Sequence, residues 1–160
     1  MTTPTLPAVD AIDEEWKAFA AVSCEQLIPH IRQFILERFS YQPRYVQQRV
    51  WRTFGTVSAL SKQFDLYFRL FAKPDAICPR DCLVIARIGF MQRRAGHGRA
   101  LVERLVELAP LLGYRHLAIE CANENASAFA ERLDFTPYEQ RRHWIASIDA
   151  LQKTLEESTT

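Results

Sequence analysis

Between Ala11 and Phe39 the apolar residues recur at three- and four-residue intervals: Ile12, Trp16, Phe19 and Val22, then Leu27, Ile31, Phe34 and Ile35. This is the spacing of one face of an α-helix. Pro29 falls inside the pattern. It lacks the N–H a helix interior needs, and its ring crowds the preceding turn. The pattern therefore predicts two helices, with Ser23 and Gln26 as a capping box for the second. Residues 1–9 are polar with two prolines and read as a flexible arm. Residues 40–63 fit either a helix ending near Gly55 or an edge strand. Phe64–Ala72 is aromatic and alternating, the signature of a strand, and 73–81 is a loop with two prolines. Cys82–Phe90 is almost wholly apolar and predicts a central strand. A helix follows it, with Gly113 suited to the C-terminal cap. His116–Ala122 predicts a third strand and Asn123–Phe135 a short helix with an Asn start. Thr136–Ala146 predicts one last strand, and 146–160 a C-terminal helix or tail.

From Phe64 onward the order is strand, strand, helix, strand, helix, strand. Two apolar strands separated by a helix imply a crossover and parallel pairing. The expected class is α/β (α+β), a mixed central sheet with helices on both faces and a divergent helical N-terminal part. Its 160 residues suit a single domain, 1–160.

Composition narrows the function classes. The formal net charge is +1, so no global field draws the chain to nucleic acid or an anionic membrane, and anion binding must be local. There is no basic n-region or apolar h-region at the start, and no apolar run reaches the ~20 residues a membrane span needs. A cytoplasmic protein with reduced cysteines is expected. Cys78 and Cys82 lack a second Cys or His pair at ligand spacing, so buried thiols are expected and no metal.

The stretch with a local anion signal is Met91–Pro110, "MQRRAGHGRALVERLVELAP". A strand ends at Phe90, and a turn of glycine and arginine opens a helix. The first N–H groups of a helix have no internal acceptor, and the helix dipole is positive there. Gly96 and Gly98 allow φ > 0 and close approach of the backbone, while Arg93, Arg94 and Arg99 supply charged donors. The residues describe a phosphate or pyrophosphate cradle. They match neither the dinucleotide fingerprint nor the P-loop. The alternative is a tight strand-to-helix turn with solvated arginines.

Arg93-Arg94-Ala95-Gly96-His97-Gly98 resembles the R/Q-x-x-G-x-G/A motif of the GNAT superfamily of N-acetyltransferases. Asn123, Ala126, Leu133 and Phe135 stand at the spacing of that family's second motif, and together the two cover about a third of the chain. The resemblance implies a pyrophosphate of acetyl-coenzyme A held by Arg93, Arg94, Ala95, Gly96, His97, Gly98 and Arg99. It implies a pantetheine arm along Ile88, Gly89 and Phe90, with Asn123 and Ala126 beside the coenzyme. Three positions depart from the family. His97 replaces an aliphatic residue, Asp134 replaces glycine, and Ala130 stands where a tyrosine often protonates the leaving thiolate. Asp tolerates the left-handed region better than most residues, so the helix end can survive.

The implied reaction is direct attack of a primary amine on the acetyl thioester. A lysine-type amine of pKa ~10.4 is almost wholly protonated at neutral pH and an α-amine of ~8 far less so, which makes a general base useful. Glu120, on the strand before Asn123, is the candidate base; it also fits a strand-end carboxylate in solvent or paired with Arg115. Tyr138, His143 and Cys121 are candidate acids, Tyr138 foremost, though packing also explains it. His97 reads as an exposed loop residue, and His30 and His116 as structural. "QRRHW", Gln140–Trp144, could meet an anionic acceptor or form a solvated strand face. The acceptor stays open among small amines, antibiotics, peptide N-termini, lysine and aminoacyl-tRNA; nucleic acid is otherwise not expected. Oligomeric state is open, a homodimer among the options. The alternative function is a coenzyme A-binding regulatory protein that has lost turnover.

Overall fold

The computed structural model describes residues 5–8, 10–40, 46–51, 54–70, 81–120, 123–138 and 142–157. Twelve elements follow in chain order: α1 (Asp13–Phe39), β1 (Val46–Val50), β2 (Gly55–Leu60), β3 (Phe64–Leu70), β4 (Cys82–Phe90), α2 (His97–Leu108), a 3₁₀ turn (Ala109–Leu112), β5 (His116–Ile119), α3 (Glu124–Arg132), β6 (Thr136–Tyr138), β7 (His143–Ser147) and α4 (Ile148–Glu157). The strands form one mixed sheet in the order β1-β2-β3-β4-β5-β7-β6, with β4 in the middle. Among the described residues only β4 and β5 pair in parallel, joined by the α2 crossover as the strand–helix–strand order requires. No described helix is long and apolar enough to cross a membrane.

The first helix corrects one expectation. α1 is continuous through Pro29 over 27 residues, and Ser23 is buried mid-helix rather than capping a second one. Pro29 deletes the hydrogen bond to the Glu25 carbonyl, but both residues lie on the exposed face, where water can serve that carbonyl. The opposite face is anchored on both sides of the proline by Trp16, Ala20, Cys24 and Leu27 and by Ile31 and Ile35. Packing along the whole stripe outweighs the local break. The helix ends where Ser40 turns left-handed at φ 58°.

Two further differences concern strands. Of the two readings of residues 40–63, the strand applies: β1 is an edge strand, and β2 follows it as an antiparallel partner. The single last strand expected over 136–146 is two, β6 and β7, paired as an antiparallel hairpin with Tyr138 opposite His143. The proline loop, apart from Asp81, lies outside the described residues, as do Cys78 and Cys121; Cys24 and Cys82 are free and buried. Residues 148–157 are helix, and Gly113 caps the 3₁₀ turn at φ 92°.

The main core lies on the sheet face shared by Val57, Ala59, Leu66, Phe68, Leu83, Ile85, Leu117 and Ile119. Cys82, Val84 and Ala118 form a smaller cluster on the other face, with Ile145 against it.

Candidate functional site

The site begins where β4 parts from β5. The two strands pair from Cys82 opposite His116 to Ile85 opposite Ile119, and a last bond runs from the Glu120 N–H to the Ile85 carbonyl. Beyond this point β4 continues to Phe90 against β3 alone. The register against β3 shifts here, from Phe68 opposite Ile85 to Tyr67 opposite Arg87, so Ala86 is the extra residue of a β-bulge. A bulge bends and twists its strand, which turns the end of β4 away from β5. The Met91 N–H donates to Gln63 O at 2.9 Å on the β3 side. By strand alternation, Gly89 and Arg87 also address β3, and the amides of Ile88 and Phe90 face the open edge. The fork is thus lined by backbone donors and acceptors of Ile88 and Phe90, whereas the backbone groups of Gly89 are directed to β3.

The turn from Met91 to Gly96 leads from this open edge into α2. Arg94 and Gly96 are both left-handed, at φ 60° and φ 80°. The first helical bond is from the Ala100 N–H to Gly96 O, at 3.0 Å, so the N–H groups of His97, Gly98 and Arg99 have no intrahelical acceptor. Gly96 caps without a side chain, and no acidic residue stands in the first turn of α2. Alternating backbone hand and unpaired N–H groups make the concave, positive arrangement that suits an anion.

The two glycines do different work. A side chain at Gly96 would be strained by its positive φ, while its Cβ would meet only the Arg38 guanidinium, at 3.9 Å. Gly98 is not left-handed; a Cβ there would stand 3.0 Å from the Phe129 ring of α3. Its small size serves close packing of α2 on α3.

The arginines also separate. Arg93 is exposed, and its Nη1 and Nη2 donate to the Asn125 amide oxygen at 3.2 and 3.3 Å, with that amide oriented to satisfy both groups. Arg94 is exposed. Arg99 points elsewhere: its Nε donates to Glu103 at 2.9 Å and its Nη2 to the Leu155 carbonyl of α4 at 3.0 Å. Ala95 is exposed, and its carbonyl accepts from Arg38.

His97 is not an exposed loop residue. It is half-buried, with its ring 4.5 Å from that of Phe39 and 5.3 Å from that of Phe90. Its Nδ1 accepts from the Nε of Arg38 at 2.8 Å. Burial and the Arg38 charge both hold its pKa below the ordinary histidine value, burial contributing more. Arg38 was not legible as a site residue, since 59 positions separate it from His97.

Around the second motif, the Asn123 side chain caps α3 by accepting from the Ala126 N–H at 2.9 Å. The spacing of Asn123 and Ala126 is therefore that of a helix N-cap. Asp134 is left-handed at φ 62°, as its replacement of glycine requires. Ala130 is fully buried in the main core. Glu120 pairs with Arg69 of β3, across β4, not with Arg115. The Tyr138 ring lies tilted against that of His143, with centroids 5.3 Å apart. His116 pairs with Asp81 at 2.9 Å at the other end of β5. Among the described residues no group of three or more His, Cys, Asp or Glu could hold a metal.

No sequence-family model matches the chain, and no curated protein does. Among solved structures it is similar to "Structure of the AtaT-AtaR complex bound DNA", with a TM-score of 0.43 and 14% identity over 67% of this chain and 73% of that one. It is also similar to "The archaeal Methanocaldococcus infernus Elp3 with N-terminus deletion (1-46)", with a TM-score of 0.47 and 8% identity over 71% of this chain and 33% of that one. The chain thus spans about a third of the length of the latter. Likeness at this level says nothing of function.

Proposed function

We propose that the chain is an acetyl-coenzyme A-dependent N-acetyltransferase of the GNAT type, transferring the acetyl group to a primary amine by direct attack. The observation that carries this reading is the union of two features on one strand. β4 leaves β5 at a bulge, opening amides at Ile88 and Phe90, and runs straight into a left-handed, uncapped turn at a helix N-terminus. A ligand with an amide-bearing arm and a diphosphate meets complementary groups at both ends.

The residues fit such a co-substrate. Free N–H groups of His97, Gly98 and Arg99 would take phosphate oxygens, and Arg94 and Arg93 would add charge. The open edge at Ile88 and Phe90 would pair with the arm as a neighbouring strand does. Backbone N–H groups at the bulge are the candidates to hold the carbonyl oxygen as negative charge develops on it. The amine forms its C–N bond, the C–S bond breaks, and the coenzyme leaves as thiolate. Ala130 offers no proton to the sulfur, but a thiol of pKa ~8.5 leaves with little help. Glu120 stands at the fork, and it can accept the amine proton only in competition with Arg69.

A second reading has its own observation. Ala130 lies in the core and Glu120 is held in an ion pair, which suits a protein that binds the coenzyme without turning it over. Thiol release from acetyl-coenzyme A across a panel of primary amines, with calorimetric binding of coenzyme A in parallel, separates the two. Binding with amine-dependent thiol release supports the transferase, and binding without release the regulatory protein. Absence of binding removes both.

A further inference from the structure

One cation outside the motif touches the turn at two points. Arg38, in the last turn of α1, donates from Nε to His97 Nδ1 at 2.8 Å and from Nη2 to the Ala95 carbonyl at 3.3 Å. It therefore grips both flanks of Gly96, whose own backbone stands in the left-handed region. His97 is held in place for this by the rings of Phe39 and Phe90. Because Nδ1 accepts, the ring is neutral with its proton on Nε2.

We propose that Arg38 is the positioning residue of the phosphate turn and lends it a fixed positive charge, with His97 as its seat. The proposal rests on the coenzyme reading above and adds a residue to it. Three physical points support it. The Ala95 carbonyl is an acceptor within an otherwise donor-rich turn, and a phosphate nearby would be repelled by it. Arg38 caps that oxygen and replaces its negative end with a cation. Second, an isolated left-handed turn of exposed residues loses much entropy on ordering around a ligand, and a contact from α1 orders it beforehand. Third, the guanidinium is exposed and, with two donor groups engaged, still has N–H groups to offer an anion. The histidine between the glycines acquires a reason here: an aliphatic residue would pack on Phe39 and Phe90 but could not accept from Arg38.

The groove between α1 and α2, floored by Phe34 and Leu108, is rimmed by Glu37, Glu103 and Glu107 as well as by arginines, and nothing indicates its occupant. The His116–Asp81 pair bridges the starts of β4 and β5 as a structural contact.

The test uses the full chain with two ligands, coenzyme A and pantetheine, the latter carrying no phosphate. Arg38→Ala should weaken coenzyme A at least tenfold and leave pantetheine within about twofold. It should also raise the His97 pKa part of the way back, followed by NMR, because burial still lowers it but the added effect of the Arg38 charge is gone. The salt dependence of coenzyme A binding should flatten in the variant. Arg38→Lys should recover part of the affinity through charge alone, and His97→Leu should lose affinity by a smaller factor. In the His97→Leu background Arg38→Ala should cost less than in the wild type. Arg38→Gln, which keeps a donor without charge, serves if the alanine variant folds poorly. Equal losses for both ligands, or unchanged coenzyme A affinity alongside a raised His97 pKa, would overturn the proposal. Failure of the wild type to bind coenzyme A would instead overturn the reading beneath it.

Discussion

At the α2 end of the candidate cleft, Arg38, Arg93 with Asn125, and His97 converge from three helices on one short turn, whereas at the fork end Glu120 and Ala130 are occupied by an ion pair and by the core. Groups at the first end are braced, and Arg38, Arg93 and Asn125 remain exposed. Groups at the second end are spent on structure. Under the proposed function, the groups that would bind the coenzyme remain available to it, while those that would act on the thioester are engaged elsewhere. A motif match reads the first and not the second.

The largest expected effect would sharpen this contrast. Ala130→Tyr forces a large ring into a fully buried position. Overpacking of this kind costs about 1–3 kcal/mol, occasionally more. For a chain of this size that is a fall in Tm of about 3–10 °C. Differential scanning calorimetry checks it; an unchanged Tm with faster thiol release would show that space exists beside the sulfur and that the fork end is closer to catalysis than its packing suggests.

Next come the glycines. Gly96→Ala should cost ~1–2 kcal/mol through its left-handed backbone. Gly98→Val should cost about as much through displacement of Phe129, and its effect on coenzyme affinity should follow the shift of α3 rather than a block at the turn. Urea denaturation of both variants, with and without Phe129→Ala, tells the two mechanisms apart: relief by the second change belongs to Gly98 alone.

A smaller effect concerns Glu120. Glu120→Gln keeps an acceptor but removes the charge from a half-buried pair, for an expected cost of about 1 kcal/mol. A double-mutant cycle with Arg69→Gln should show coupling. If Glu120 also serves as base, the variant's acetylation rate falls most at low pH and for amines of high pKa. A pH–rate profile unaltered from the wild type, together with strong coupling to Arg69, would leave it a purely structural residue.

Much of this was legible along the chain from Cys82 to Phe135. There the sheet is central and buried, so apolar runs mark strands, and glycine or asparagine marks where each helix starts or stops. What was not legible depended on distant partners or on burial. Pro29 signals a break by its own chemistry, and only the buried stripe on both sides explains its tolerance. β1 exposes three of its five residues, so it carries little periodic signal. Arg69 lies 51 positions from Glu120 and Arg38 lies 59 from His97, and nothing local links them. The burial of Ala130 is set by the packing of α3, which no spacing rule contains.

The smallest effect is in the pH dependence of stability. His30 and His97 both have pKa values lowered, by burial first and then by Arg104 and Arg38 respectively. A depressed histidine pKa means the unfolded chain takes up the proton first as pH falls. Stability is therefore full above the ordinary histidine pKa near 6.5 and declines as pH drops from there through the folded-state values. His97→Leu should make the decline shallower, which equilibrium unfolding between pH 5 and pH 7.5 would detect, as rough bounds on the histidine range.

The proposed function places the coenzyme along the open edge of β4 with its diphosphate on the turn before α2, and amide NMR of the chain titrated with coenzyme A tests this placement. Saturable shifts are expected at Ile88, Phe90, His97, Gly98 and Arg99, with little change at the far end of β5 around His116. Saturable shifts confined to the α1–α2 groove around Phe34 and Leu108, or no saturable shifts at all, would contradict it.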